Sequence, residues 1–258
     1  MVFRPSEPFS KWRLRGSLVY IAEPTAEGMT YEHYFESLGP CAETYGANSD
    51  HSNLQEIAES NTQRFRLLRK FKPTGSLLDI GCGRGLFLKT ARDAGYTARG
   101  IDVSERAVAY ARREFHLDVD MCTPADLLAS GNRFDAITLW HVLEHFFDPF
   151  KCLREVRSLL NDDGMCLLEV PNLHSLKFMT ARNRWHGGNH PLYHRTFFTS
   201  TTLHNALESS GFRNPVRLRL TYHIPGRSRI YEGLKTALNS VAMDAFLAFA
   251  GSKKIVAT

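Results

Sequence analysis

Between Ser76 and Pro171 short apolar runs alternate with segments of helical period, and this alternation narrows the fold more than any other feature. "SLLDI" (76–80) reads as a buried strand and "GLFLKTARDAG" (85–95) as a helix. "TARGID" (97–102) is a strand and "SERAVAYARREF" (104–115) a helix with Ser104 as its N-cap. "LDVDM" (117–121) and "FDAITLW" (134–140) are strands, "PFKCLREVRSLL" (149–160) is a helix and "GMCLLEVP" (164–171) a strand. Strand–helix alternation of this kind builds a parallel sheet covered by helices on both faces. Such sheets bind ligands just beyond the carboxyl ends of their strands, where the strand order reverses.

The flanking segments are less regular. Residues 1–50 show no long period, whereas Leu54, Ile57, Ala58, Phe65, Leu68 and Phe71 share one helical face that ends at Pro73-Thr74-Gly75. Residues 172–199 break the rhythm with Trp185, Gly187, Gly188 and Pro191. A helix is expected at 200–211, a strand at 215–222, an amphipathic helix over about 229–249 and a short terminal strand at "KKIVA". The domain plan is therefore an N-terminal arm and helical cap (1–74), then one ligand-binding domain (75–258) with a lid-like excursion at 172–199.

Bulk properties set outer limits. A formal charge of +5, from 32 basic and 27 acidic residues, is too mild to demand nucleic acid. The five cysteines (Cys41, Cys82, Cys122, Cys152, Cys166) form no C-x-x-C pair and read as reduced thiols of a cytoplasmic protein. The apolar run Leu18–Ala22 is too short for a signal-peptide core, and "VAMDAFLAFAG" is too short to span a bilayer. The stripe Leu234, Leu238, Val241, Ala245 and Phe249, with Arg227, Arg229, Lys235, Lys253 and Lys254 around it, reads first as a packing face. Its other reading is contact with a membrane surface.

Two motifs carry the chemistry. "LLDIGCGRG" places Gly81, Gly83 and Gly85 between a strand and a helix, where bare backbone lets a ligand approach and the helix N-terminus favours an anion. A dinucleotide loop would need its third glycine at Leu86, so the nicotinamide reading fits poorly. "GID" then puts Asp102 at the end of the second strand, 17 residues after Gly85, where a carboxylate suits ribose hydroxyls; its competing role is helix capping.

These segments resemble the class I S-adenosylmethionine-dependent methyltransferases. "LLDIGCGRG", "GIDVS", "PADLL", "FDAITLWHVLEHFFDP" and "LLNDDGMCLLEVPN" carry the resemblance across Ser76–Asn172. "YHRTFFTSTTLHNALESSGF" resembles a subgroup of small-molecule, sugar and quinone O-methyltransferases. The resemblance implies an α/β, doubly wound Rossmann-like fold with a mostly parallel seven-stranded sheet, its last strand antiparallel. It also implies S-adenosyl-L-methionine as cofactor, a small-molecule acceptor and no nucleic acid. Asp79, Gly81, Cys82, Gly83 and Gly85 would hold the methionine part, Asp102 the ribose, and Val103, Ala125 and Asp126 the adenine. Leu139 and Trp140 would line the pocket near the sulfonium. N- or C-methylation, a silent cofactor-binding protein and a nicotinamide oxidoreductase are the alternatives.

His141-Val142-Leu143-Glu144-His145 spells H-x-x-E-H, a zinc pattern that requires a helix. A β-branched strand leads into His141, so no metal is expected there. His186, His190 and His194 share a spacing of four, but Gly187, Gly188 and Pro191 oppose a helix. His145, then His194, then His141 are instead the histidines expected to take a proton from the acceptor hydroxyl, because a neutral imidazole is suited to that near pH 7.

Overall fold

The hydrogen-bonded strand order 5-4-3-6-7-10-9 forms the main sheet of a computed structural model that describes residues 9–14, 17–22, 51–146, 148–173, 196–218 and 243–249. Its parallel strands are β3 (Ser76–Ile80), β4 (Thr97–Asp102), β5 (Asp118–Met121), β6 (Phe134–Trp140) and β7 (Leu160–Pro171). In register, Asp79 lies opposite Gly100 on one side and Thr138 on the other. The chain leaves β3 toward β4 and β5, then returns to pair β6 on the opposite side of β3. The carboxyl ends of β3 and β6 thus flank the point where strand order reverses, the place for a ligand crevice.

The parallel block has five strands, and the seven expected are reached only by counting two more that continue the ladder. β10 (Met243–Phe249) runs antiparallel to both β7 and β9 (Arg213–Leu218). This corrects the sequence reading at one point: Met243–Phe249 is a strand, not the end of an amphipathic helix. Apolar runs this short carry no decisive period, and hydrogen bonding to two neighbours settles the matter. The remainder of the expected helix, residues 229–242, and the expected strand at "KKIVA" lie outside the described residues. Among the described residues no helix is long and apolar enough to cross a membrane.

Side-chain alternation along the strands divides the core between two faces. On one, Leu78, Ile80, Ile137, Leu139 and Leu168 meet helices α5 (Pro149–Leu159) and α6 (Ser200–Ser209) through Leu153, Val156, Leu203 and Leu207. On the other, Leu77, Ala136, Met165 and Leu167 meet Leu68 of α1 (His51–Phe71) and Phe87 and Ala91 of α2 (Leu86–Asp93). A third cluster seats α3 (Glu105–Phe115) on the sheet through Val108 and Ala111, with Leu88, Leu117 and Val119.

A second, smaller sheet has no counterpart in the sequence reading. β1 (Phe9–Leu14) and β2 (Ser17–Ala22) form an antiparallel pair, and β2 pairs with β8 (Thr196–Phe197). The chain just before α6 is thereby tied to the N-terminal segment, and Asn172 bridges to Phe198 beside it.

Candidate functional site

The loop after β3 turns through three left-handed glycines, with φ of 66° at Gly81, 53° at Gly83 and 78° at Gly85. Gly81 is also sterically required: a Cβ there would lie 2.5 Å from Cγ2 of Val142. Gly83 differs, because a Cβ on it would meet nothing within 4 Å. The Gly81 and Cys82 N–H groups donate to the carbonyl of Ile101 at 2.8 and 3.1 Å, which anchors the loop to the end of β4.

Asp102 completes that anchor. Its Oδ2 accepts from the Gly83 N–H at 2.8 Å and its Oδ1 from the Ser104 N–H at 2.9 Å. Burial raises its pKa, and the Ser104, Gly83 and Val103 N–H groups oppose that rise. A carboxylate offers about four acceptor positions, so two oxygens each holding one backbone donor can still receive hydroxyls. Ser104 caps α3 through Oγ, which relieves Asp102 of the capping duty that sequence alone left open.

Asp102 lies on the wall of a cavity of about 410 Å³. Gly81 and Val103 line it from one side, Thr123, Pro124 and Ala125 from another, and Val142, Phe146 and Cys152 face them. His141 and His145 also line it, with Lys151 and Glu155 of α5. Mostly apolar walls with a few convergent polar groups are the usual make-up of a small-molecule site.

Several expected residues are placed elsewhere. Leu139 is fully buried in the core cluster with α5 and is not on the cavity wall. Trp140 points to the opposite sheet face, edge-on to Phe87 at 5.3 Å, with the Arg64 guanidinium 5.1 Å from its ring centre. Asp79 is buried beneath the loop and accepts from the Thr138 hydroxyl at 2.6 Å. Burial pushes its carboxyl up to about 7 against that hydrogen bond. Asp126 spends Oδ2 on a capping box, accepting from Thr123 N–H at 2.8 Å and Thr123 Oγ1 at 2.7 Å at the start of α4 (Pro124–Ala129). Those N–H and hydroxyl donors hold its carboxyl below the usual range. Cys82 sits inside the loop, where burial raises its thiol well above the ordinary value. His194, with His186 and His190, lies outside the described residues.

The H-x-x-E-H stretch is not an α-helix. His141 follows β6 with a left-handed φ of 59°, and Leu143–His145 form a single 3-10 turn. His141 is the expected residue whose chemistry changes most. Its Nδ1 lies 3.5 Å from Glu144 and its Nε2 3.5 Å from Glu169, both carboxylates being almost fully buried. Burial alone would lower its pKa, but Glu169 first and then Glu144 outweigh it and bring the imidazole to about 9. At neutral pH His141 is therefore a cation and holds its proton rather than taking another.

Glu169 and Arg64 were missed from sequence. Glu169 has a visible signal, an acidic residue in the apolar strand "LLEVP". Arg64 has none, because its 2.9 Å ion pair with Glu169 joins residues 105 positions apart.

Comparison with known proteins agrees with this fold. The family described as methyltransferase domain matches residues 51–215. A ubiquinone biosynthesis O-methyltransferase of Cereibacter sphaeroides is 34% identical over 110 residues, 41% of this chain and 44% of that protein. One from Thiobacillus denitrificans is 28% identical over 142 residues, 52% of this chain and 60% of its own length. The chain thus spans about half the length of the curated relatives it matches. Among solved structures, a SAM-dependent methyltransferase from Archaeoglobus fulgidus superposes with a TM-score of 0.58 at 22% identity, over 82% of this chain and 99% of that one. The 1,6-didemethyltoxoflavin-N1-methyltransferase of Burkholderia thailandensis gives 0.56 at 18% identity, over 94% and 99%. With the family's signature covering well over half of its residues, this chain belongs to the methyltransferase-domain family.

Proposed function

We propose that the protein is an S-adenosylmethionine-dependent methyltransferase acting on a small-molecule hydroxyl, with a quinol-type phenol the acceptor favoured by its relatives' names. The observation that carries this reading is Asp102. Its carboxylate is fixed by the Gly83 and Ser104 N–H groups on the cavity wall, beside a glycine whose missing side chain leaves open space. These residues fit the cofactor: Asp102 would receive ribose hydroxyls, Val103, Pro124, Ala125 and Phe146 would enclose an aromatic base, and Gly83 would admit the chain beyond the ribose. The bound cofactor supplies a methyl group already activated on a sulfonium, so the protein needs no covalent intermediate of its own.

What remains for the protein is alignment and one proton. Holding reactants in line supplies about 7–11 kcal/mol of barrier reduction in favourable cases. Of the expected bases, His141 is already charged, which leaves His145, on the same cavity wall, and His194. His145 is the base we favour; its place at the end of the 3-10 turn puts the ring on the wall that Asp102 shares. A positioned base adds about 10²–10⁴-fold.

Isothermal titration with S-adenosylhomocysteine and with NADH tests the cofactor assignment. Binding of the first and not the second is expected, and the reverse overturns it. Methyl transfer to catechol and quinol probes, measured for wild type, His145→Ala and His194→Ala, tests the acceptor class and the base.

A further inference from the structure

The buried charges at the ends of β6 and β7 lie outside the chemistry assigned above. They form a chain of alternating sign: Glu144, His141, Glu169, Arg64. His141 Nε2 reaches Oε1 of Glu169 at 3.5 Å, and Arg64 Nε reaches Oε2 at 2.9 Å. Glu169 is wholly buried, and the Arg64 side chain is 13% exposed. Glu169 grips His141 a second time, since its backbone carbonyl accepts the His141 N–H at 2.9 Å. The next residue, Val142, is the one whose methyls would lie 2.5 and 2.9 Å from a Cβ on Gly81.

We propose that Glu169 is a positioning residue for the cofactor site: it holds His141 and Arg64 on its two carboxylate oxygens, and by holding His141 it seats Val142 against Gly81 of the glycine loop. The inference rests on the cofactor reading given above. His141 occupies a left-handed backbone conformation that is uncommon for a non-glycine residue. Two buried carboxylates and one backbone hydrogen bond enforce it here. Arg64 extends the same grip to α1, where its guanidinium also covers Trp140. One buried carboxylate thus sets the cavity wall and the helix α1 against each other.

Among the described residues, the titratable and charged groups around His141 come from several neighbouring elements. Glu144 and His145 belong to its own turn, Glu169 to β7, and Arg64 to α1 through Glu169. Asp102, Asp148, Lys151 and Glu155 line the same cavity as His141. With Glu169 ionised, the ring keeps its proton at neutral pH. With Glu169 neutral, burial opposes the charge and, among the described residues, Glu144 still supports it.

The test uses the whole chain. In ¹⁵N-imidazole NMR, with His141→Gln for assignment, the His141 ring should titrate near 9 in wild type and clearly lower in Glu169→Gln. In parallel, S-adenosylhomocysteine affinity is measured by calorimetry from about pH 6 to 10. Wild type should bind evenly to about pH 8 and weaken as His141 loses its proton. Glu169→Gln should bind roughly tenfold more weakly at neutral pH and lose that pH dependence. Glu169→Asp, which keeps the charge, should recover part of the affinity and keep the inference testable if Glu169→Gln fails to fold. A neutral His141 ring at pH 7.5 in wild type, or unchanged affinity and pH profile in Glu169→Gln, overturns the inference. No binding by wild type overturns the cofactor reading instead, while the His141 titration still judges the coupling to Glu169.

Discussion

Replacing Gly81 and Gly83 by alanine separates a glycine the fold needs from one the ligand needs. Both are left-handed, at φ of 66° and 53°, so each alanine pays about 1–2 kcal/mol for its backbone. At Gly81 the new Cβ also meets Cγ2 and Cγ1 of Val142 at 2.5 and 2.9 Å. Val142 is buried and β-branched, so it has little room to swing away. Overpacking of this kind adds about 1–3 kcal/mol. The total for Gly81→Ala is roughly 2–5 kcal/mol, a fall in Tm of about 5–15 °C for a chain of this size. At Gly83 the Cβ meets nothing, so only the backbone contribution applies, a fall of roughly 2–6 °C. Its methyl nevertheless projects beside the N–H that donates to Asp102, into space assigned to the cofactor. Thermal melts without ligand and titration with S-adenosylhomocysteine give both readouts. Gly83→Ala should be the more stable variant yet lose at least about tenfold in affinity. Wild-type affinity in Gly83→Ala would refute the placement of the ligand against the loop.

Further outcomes follow from other residues. Asp102→Asn turns an acceptor of two backbone N–H groups into a side chain that presents its own donor to one of them; titration should show a loss of about 1–3 kcal/mol in S-adenosylhomocysteine binding. The His141 pKa is raised from 6.5 to about 9, so its stabilising contribution is fully present below 6.5 and lost as pH rises through about 9. Allowing for solvent at a ring that is 34% exposed, urea melts should show a loss of about 1–2 kcal/mol across that window, reduced in Glu169→Gln. Cys152 and Cys166 are buried and burial raises both thiols, so alkylation followed by mass spectrometry should leave them unlabelled until the chain unfolds.

The sheet and its glycine loop were legible because their signals are local. Period, a helix cap at Ser104 and the carboxylate of Asp102 all lie within a few residues of the structure they specify. What was not legible depends on partners far along the chain. His141 reads as a base because only one of its two carboxylate partners, Glu144, is near it in sequence; Glu169, the larger Coulombic influence, lies on the next strand. The Leu18–Ala22 run reads only as too short for a signal-peptide core, because β8, which pairs with its strand, comes at Thr196–Phe197. Met243–Phe249 looked helical because a short buried strand and a helix segment share the same apolar composition. Asp126 suits a ligand role by its place after β5, while its capping partner Thr123 lies only three residues away.

The order of the strands also bears on how the chain is made. β10 lies between β7 and β9, yet follows both in sequence. As the protein emerges from the ribosome, the outer edge of β7 and the strand β9 both lack, among the described residues, a partner until residues 243–249 arrive. An open edge of buried apolar strand is a template for pairing with other chains. Synthesis arrested before Met243 should therefore leave a sticky intermediate that a chaperone would hold, and the few residues of β10 close it in a single step.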